Sequence, residues 1–235
     1  MSGRRPKPAL PPSQLTVVWQ SVSLLLDYPD EDLLARVDLL RSASGALPGE
    51  IGDSIRTFLM HLESTPLPQL QAAYVETFDT RRRCNLFLTY FAHGDTRKRG
   101  MALLRFKQTY LRAGFELDGA ELPDHLCVVL EFAATGDQAL GRDLMLDHRA
   151  GLELLRLSLR DMGSPWAGLV DAVTATLPQL RGDERDAVRR LAAEGPPEEE
   201  VGLAPFANPQ YSPGAVSTAP EAVALPMPSF PGARA

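Results

Sequence analysis

Apolar residues recur along this chain at intervals of three and four. Leu15, Val18, Trp19, Val22, Leu25 and Leu26 form one such stripe, the spacing that places side chains on one face of an α-helix. Tyr28-Pro29 ends it, because the residue before a proline is pushed out of helical geometry. Asp30 or Asp32 then caps a second helix, which carries Leu33, Leu34, Val37 and Leu40. A third, from about Pro48, carries Ile51, Ile55, Phe58, Leu59 and Leu62. A fourth, from about Pro68, carries Leu70, Tyr74 and Phe78.

The pattern predicts a fifth helix over roughly Arg82 to Phe91, broken by His93-Gly94-Asp95. Thr96 caps the sixth, which runs to about Ala113 and stops at Gly114, a residue free to take positive φ. The seventh runs from Pro123 or Asp124 to about Ala134. It is apolar nearly all round, with Leu126, Val128, Val129, Leu130 and Phe132, which places it at the centre of the fold. Further helices cover about 137–147, 148–162, 165–177 and 184–194. In Ser164-Pro165-Trp166 a hydroxyl cap precedes a proline, the usual start of a helix. Strand signals are nearly absent and no repeat of fixed period occurs. The reading is all-α: a single-domain helical bundle of about ten helices over residues 14–195. Residues 1–13 are Pro-rich and basic and read as disordered. Residues 196–235 hold nine of the twenty prolines and read as a flexible tail.

Composition narrows the setting. Of the 235 residues, 44% are apolar, enough for a substantial core. Cys84 and Cys127 are the two cysteines; far apart and outside any CxxC pattern, they fit a reducing, cytoplasmic home. Arg4, Arg5 and Lys7 are followed by proline rather than an apolar run, unlike a secretory signal. No stretch approaches about 20 apolar residues, so no stable membrane association is expected.

Charge is the unusual feature. The chain carries a net charge of −6, yet residues 81–112 hold nine Arg or Lys and one acid, Asp95. Such asymmetry marks a partner surface or an internal ion-pair seam. Arg81–Arg83 and Arg97–Arg99 flank a segment rich in aromatic residues. One reading is an all-α nucleic-acid-binding regulator. Against it, the domain as a whole is acidic, and Phe87, Tyr90 and Phe91 sit among Leu86 and Leu88 as core residues would. Another is that the arginines pair with neighbouring acids such as Glu76 and Asp79.

Signatures of catalysis are weak. His61, His93, His125 and His148 show neither HxxxH nor HExxH spacing, so no metal site is expected. Phosphate-binding glycine loops and a GxSxG elbow are also missing. Glu121-Leu122-Pro123-Asp124-His125 leaves two readings open. Proline starts a helix and Asp124 complements its dipole, or Asp124 and His125 protrude beside a groove, where they would suit a hydrolase or a binding site.

Four stretches then resemble a known family. They are Leu25-Leu26-Asp27-Tyr28-Pro29-Asp30, Tyr74-Val75-Glu76-Thr77-Phe78-Asp79, His93-Gly94-Asp95-Thr96-Arg97-Lys98-Arg99-Gly100, and Glu121-Leu122-Pro123-Asp124-His125-Leu126 with Leu130-Glu131. In this order they resemble the NarJ or delta-subunit family, the assembly chaperones of respiratory nitrate reductase, within the wider TorD/DmsD group. The resemblance spans about residues 15–165. It implies a TorD-like helical fold and a cytoplasmic chaperone rather than an enzyme. Such a chaperone binds the apo catalytic (alpha) subunit, including its N-terminal peptide, and keeps it competent for molybdenum cofactor insertion before membrane docking. It implies no stably bound cofactor and no nucleic acid, and proteins of molybdenum cofactor biosynthesis as further partners. Carried over by position, Tyr74 and Phe78 would line or support a client groove and Asp79 would pair with a basic client residue. Arg82 and Arg83 would give the rim positive charge. Pro123, Asp124 and His125 would shape the site where the central helix begins.

Overall fold

The computed structural model describes residues 10–117, 119 and 121–197. The chain divides into two units, residues 1–199 and 200–235, and the described residues lie in the first. The tail from residue 198 and the basic segment up to residue 9 fall outside them. Among the described residues the architecture is all-α, with twelve α-helices: α1 Pro12–Leu25, α2 Glu31–Ala35, α3 Val37–Ser44, α4 Gly49–Ser64, α5 Leu67–Tyr74, α6 Tyr90–His93, α7 Arg97–Arg112, α8 Leu126–Thr135, α9 Gln138–Asp147, α10 Arg149–Asp161, α11 Ala167–Thr176 and α12 Gly182–Glu194.

The core forms around α8, the helix read as apolar all round. It buries Leu126, Val128, Val129, Leu130 and Phe132 between α1 and α9. Helix α1 begins at Pro12, with no intrahelical partner needed for the missing N–H, and turns Val18, Trp19, Val22 and Leu25 inward. Two polar links fix it: Ser23 Oγ donates to the Cys127 carbonyl at 2.9 Å, and Trp19 Nε1 donates to Thr176 Oγ1 on α11 at 3.0 Å. Helix α11 packs on α4 and α1, and α10 packs on α11 and α12. At the crossing of α8 and α9, Gly141 lets the backbones meet: a Cβ there would stand 2.5 Å from Ala133 Cβ.

Helix α10 also carries a ladder of charge. Arg149 pairs with Glu153 at 2.6 Å, Glu153 with Arg156 at 2.6 Å, and Arg156 and Arg160 both reach Asp171 on α11. Arg149 and Glu153 are buried, and burial lowers the Arg149 pKa against the pull of Glu153.

Four predicted elements come out differently. Helix α11 starts at Ala167 after Trp166, not at Pro165, and the Ser164 hydroxyl does not cap it. The second helix is broken at Arg36 into α2 and α3, and Asp30, not Asp32, is the cap, accepting from Leu33 N at 2.7 Å. The helix at 82–91 is replaced by a 3-10 turn, Arg82–Cys84, an extended run, and short α6. Asn85 Oδ1 accepts from Phe87 N at 2.7 Å, a local turn that competes with helix. Leu88 N then donates to the Asp124 carbonyl, and Leu126 N to the Leu86 carbonyl, so Phe87 and His125 form a single antiparallel bridge. That bridge uses the backbone predicted to open the seventh helix, so α8 starts at Leu126, not at Pro123 or Asp124.

Candidate functional site

The four quoted stretches converge in two adjoining clusters. The first is aromatic. Helix α5 runs on into a π-helical turn, Val75–Asp79, and this wider turn sends Tyr74 and Phe78 to the same side. Their rings lie 4.7 Å apart, and both meet the edge of Trp166, at 5.9 and 5.5 Å. Phe58 of α4 completes the cluster at 5.7 Å from Trp166. Tyr74 Oη donates to the Leu26 carbonyl at 3.1 Å, and the half-exposed Tyr28 ring stands against Tyr74 at 5.5 Å. Tyr74 and Phe78 are thus buried supports.

Outside this cluster lies an open hollow of about 400 Å³, lined by Glu76, Thr77, Arg81, Met162, Pro165 and Trp166 among others. Glu76 and Arg81 form an exposed ion pair at 3.1 Å on its edge, and Met162 is 38% exposed. Beneath Met162, its Sδ touches the buried Cys84 Sγ at 3.7 Å. Burial raises the Tyr74 pKa, and Cys127, Asp27, Asp79 and Glu121 raise it further. Asp27, Asp79 and Glu121 are exposed, and Asp27 and Asp79 adjoin Tyr28 and Phe78 in the chain.

The second cluster holds Pro123, Asp124 and His125. The expectation that Asp124 and His125 protrude fails at Asp124, which is fully buried. Its Oδ2 accepts from Thr89 N at 3.1 Å and Thr89 Oγ1 at 2.5 Å, and Arg99 Nη2 lies 3.7 Å away. The carboxylate therefore ties the extended run to α7 and does not face the α8 dipole. Arg99 Nε donates to Thr89 Oγ1 at 3.2 Å, and its guanidinium covers the Phe87 ring at 5.2 Å. That ring packs on His125 at 5.0 Å. Burial lowers the His125 pKa, opposed by Asp27 and Asp124. No hydrogen bond joins Asp124 to His125 among the described residues. Pro123 is buried, its carbonyl accepting from Tyr110 Oη at 2.6 Å.

The basic segment is not one continuous rim. Arg99 turns inward, 16% exposed at its side chain. Arg82 Nε donates to Tyr90 Oη at 2.7 Å and Nη2 to the Pro197 carbonyl at 3.4 Å. Arg83 and Asp79 are exposed. Among the described residues no group of three or more His, Cys, Asp or Glu could hold a metal ion, and no helix is long and apolar enough to cross a membrane. Sequence reasoning left out Asp27, Glu76, Met162 and Trp166 as site residues. Trp166 had a signal, a buried stripe beginning at a loop; Asp27 and Glu76 had none beyond lying in a quoted stretch, and Met162 had none.

Comparison with known proteins places these residues in context. The family described as nitrate reductase delta subunit matches residues 44–171. A Mycobacterium tuberculosis protein described as nitrate reductase-like protein NarX is 38% identical over 167 residues, covering 68% of this chain and 24% of that protein. The chain thus spans about a quarter of that relative's length. The probable nitrate reductase molybdenum cofactor assembly chaperone NarJ of Bacillus subtilis is 34% identical over 169 residues, covering 70% of this chain and 90% of that protein. The nitrate reductase molybdenum cofactor assembly chaperone NarJ of Escherichia coli is 35% identical over 153 residues, covering 64% and 65%.

Proposed function

The chain belongs to the nitrate reductase delta subunit family, and we propose that it is a cytoplasmic chaperone for the apo catalytic subunit of nitrate reductase. It holds that subunit, including its N-terminal peptide, competent for molybdenum cofactor insertion before membrane docking, and carries out no chemistry of its own. The cofactor is the client's cargo, delivered by the proteins that make it, and is not stably held here. The names of the NarJ relatives support the chaperone role.

One observation carries the reading of the site: an open hollow floored by Trp166 and backed by Tyr74 and Phe78 has the carboxylate of Glu76 in its lining, with exposed Asp79 next to Phe78 in the chain. A peptide that folds as an amphipathic helix would place apolar anchors over Met162 and Trp166 and basic residues against the carboxylates. Asp79 takes a basic client residue. Arg82 and Arg83 border the site and orient the acidic part of a client. Pro123, Asp124 and His125 shape the site indirectly, by fixing the run around Phe87 and Thr89. Ordering a flexible client costs free energy, which keeps the complex releasable.

Calorimetric titration of the catalytic subunit's N-terminal peptide into the full chain tests this. Binding is expected, weakened about tenfold by Met162→Asp and by about threefold or more in Asp79→Lys, with far-UV helicity unchanged. Absence of binding, together with normal nitrate reductase maturation in a strain lacking this protein, overturns the reading.

A further inference from the structure

Helix α7 presents a second surface, none of whose residues line the hollow. Phe106 and Tyr110 are its buried residues, with Arg99 folded in beside them. On the opposite side Met101, Leu104 and Leu111 are 68%, 44% and 58% exposed. With exposed Gln108 they fall at intervals of three, four and three, the a and d spacing of a two-helix seam. In the same register Lys98, Arg105 and Arg112 take the e positions and Lys107 a g position. All four are exposed, and none pairs with an acid among the described residues.

The charge on α7 is also costly to the helix itself. Its first turn holds Arg97, Lys98 and Arg99 and no acid, and cations there oppose the positive end of the helix dipole. Arg99 is answered by Asp95 and Asp124. Among the described residues the first turn's other cations, Arg97 and Lys98, have no such answer, and a local conflict of this kind marks a functional surface.

We propose that the outer face of α7 docks one helix of a protein partner, apolar along its own seam and acidic at the flanking positions. The apolar seam supplies the attachment and the flanking ion pairs set partner choice and register, with Gln108 as the polar position that disfavours slippage. A second copy of this chain does not fit, because α7 against α7 would oppose cation to cation. A lipid surface fits poorly: an interfacial helix needs a broad apolar face, whereas α7 turns its aromatic residues into the fold and exposes a narrow seam interrupted by Gln108. A nucleic acid would leave Met101, Leu104 and Leu111 against phosphate.

Two synthetic helices about three heptads long, both with Leu at a and d, one with Glu and one with Lys at e and g, are the probes. Each carries a fluorescent label and is titrated with the full chain by anisotropy. The Glu helix, too repulsive to pair with itself, is expected to bind, and to weaken about fivefold or more between about 50 and about 300 mM salt. The Lys helix is expected not to bind. Leu104→Glu with Leu111→Glu should cut Glu-helix affinity about tenfold or more at unchanged Tm. Lys98→Glu with Arg105→Glu and Arg112→Glu should reverse the preference toward the Lys helix. No binding of the Glu helix at about 100 μM overturns the proposal, as does equal binding by the Leu variant. So does retention of the chain by phosphatidylglycerol vesicles or a short DNA duplex, lost in the same variants, when the Glu helix is not retained.

Discussion

At Asp124 a carboxyl group sits where no solvent reaches it. A buried carboxylate persists only when donors and an opposite charge surround it, and here Thr89 and Arg99 supply both. Asp124→Ala strands the Thr89 donors and leaves Arg99 facing an apolar methyl, so a loss of about 3 kcal/mol is expected. Asp124→Asn keeps an acceptor and should lose less, about 1 kcal/mol. Urea unfolding of both variants checks this; equal stability of Asp124→Ala and the unaltered chain would show that the carboxylate holds nothing together. His125 and His148 make a second residue-scale case. Burial lowers both pKa values from the ordinary 6.5, against opposing carboxylates. Below about pH 6.5 the unfolded chain therefore binds protons that the folded chain refuses, and stability falls as pH drops. Replacing both with Gln should flatten that fall between about pH 7 and pH 5 in thermal melts. An unchanged slope would mean that neither imidazole contributes.

Among the elements, those with sustained three-and-four spacing, such as α1, α4 and α8, could be read directly, because one buried stripe per helix leaves its period in the sequence. The run from Cys84 to Tyr90 could not. Its buried apolar positions Cys84, Leu86, Leu88 and Tyr90 fall at every second residue, but Thr89 between the last two is buried as well, and only the bridge to His125, dozens of residues away, decides against helix. The site shows the same division. Tyr74, Phe78 and Asp79 could be placed from the quoted stretches, but Arg99 reads as one of three surface cations until Thr89 and Asp124 are beside it. Trp166 reads as core until the turn before α11 opens a hollow over it. Contacts between elements also predict a tight spot. A Cβ at Gly151 of α10 would stand 2.6 Å from the Phe91 ring of α6. Gly151→Ala must shift α6 or rotate Phe91, at a cost of about 1–3 kcal/mol, although alanine favours helix. If that variant proves more stable than the unaltered chain in urea, α6 is not packed against α10 as described.

For the molecule as a whole, the aromatic cluster unites segments distant in sequence: Phe58 from α4, Tyr74 and Phe78 around the π-helical turn, and Trp166 before α11. A peptide seated over them binds the folded chain and not the unfolded one, so it must stabilise the entire cooperative unit. At about 100 times its Kd the gain is about 2.7 kcal/mol, or roughly 5–10 °C in Tm for a domain of this size. The shift should follow the catalytic subunit's N-terminal peptide and be lost when its apolar anchors are changed to Asp. Met162→Asp should keep the Tm of the free chain and lose most of the shift, because Met162 is partly exposed over the hollow. Trp166→Ala should lower the Tm of the free chain as well, because that ring is buried among three others and its loss removes about 3–5 kcal/mol of packing. The contrast between the two variants separates a surface that receives a client from a core that shapes it. If Met162→Asp shows the full shift, the client lies elsewhere on the molecule.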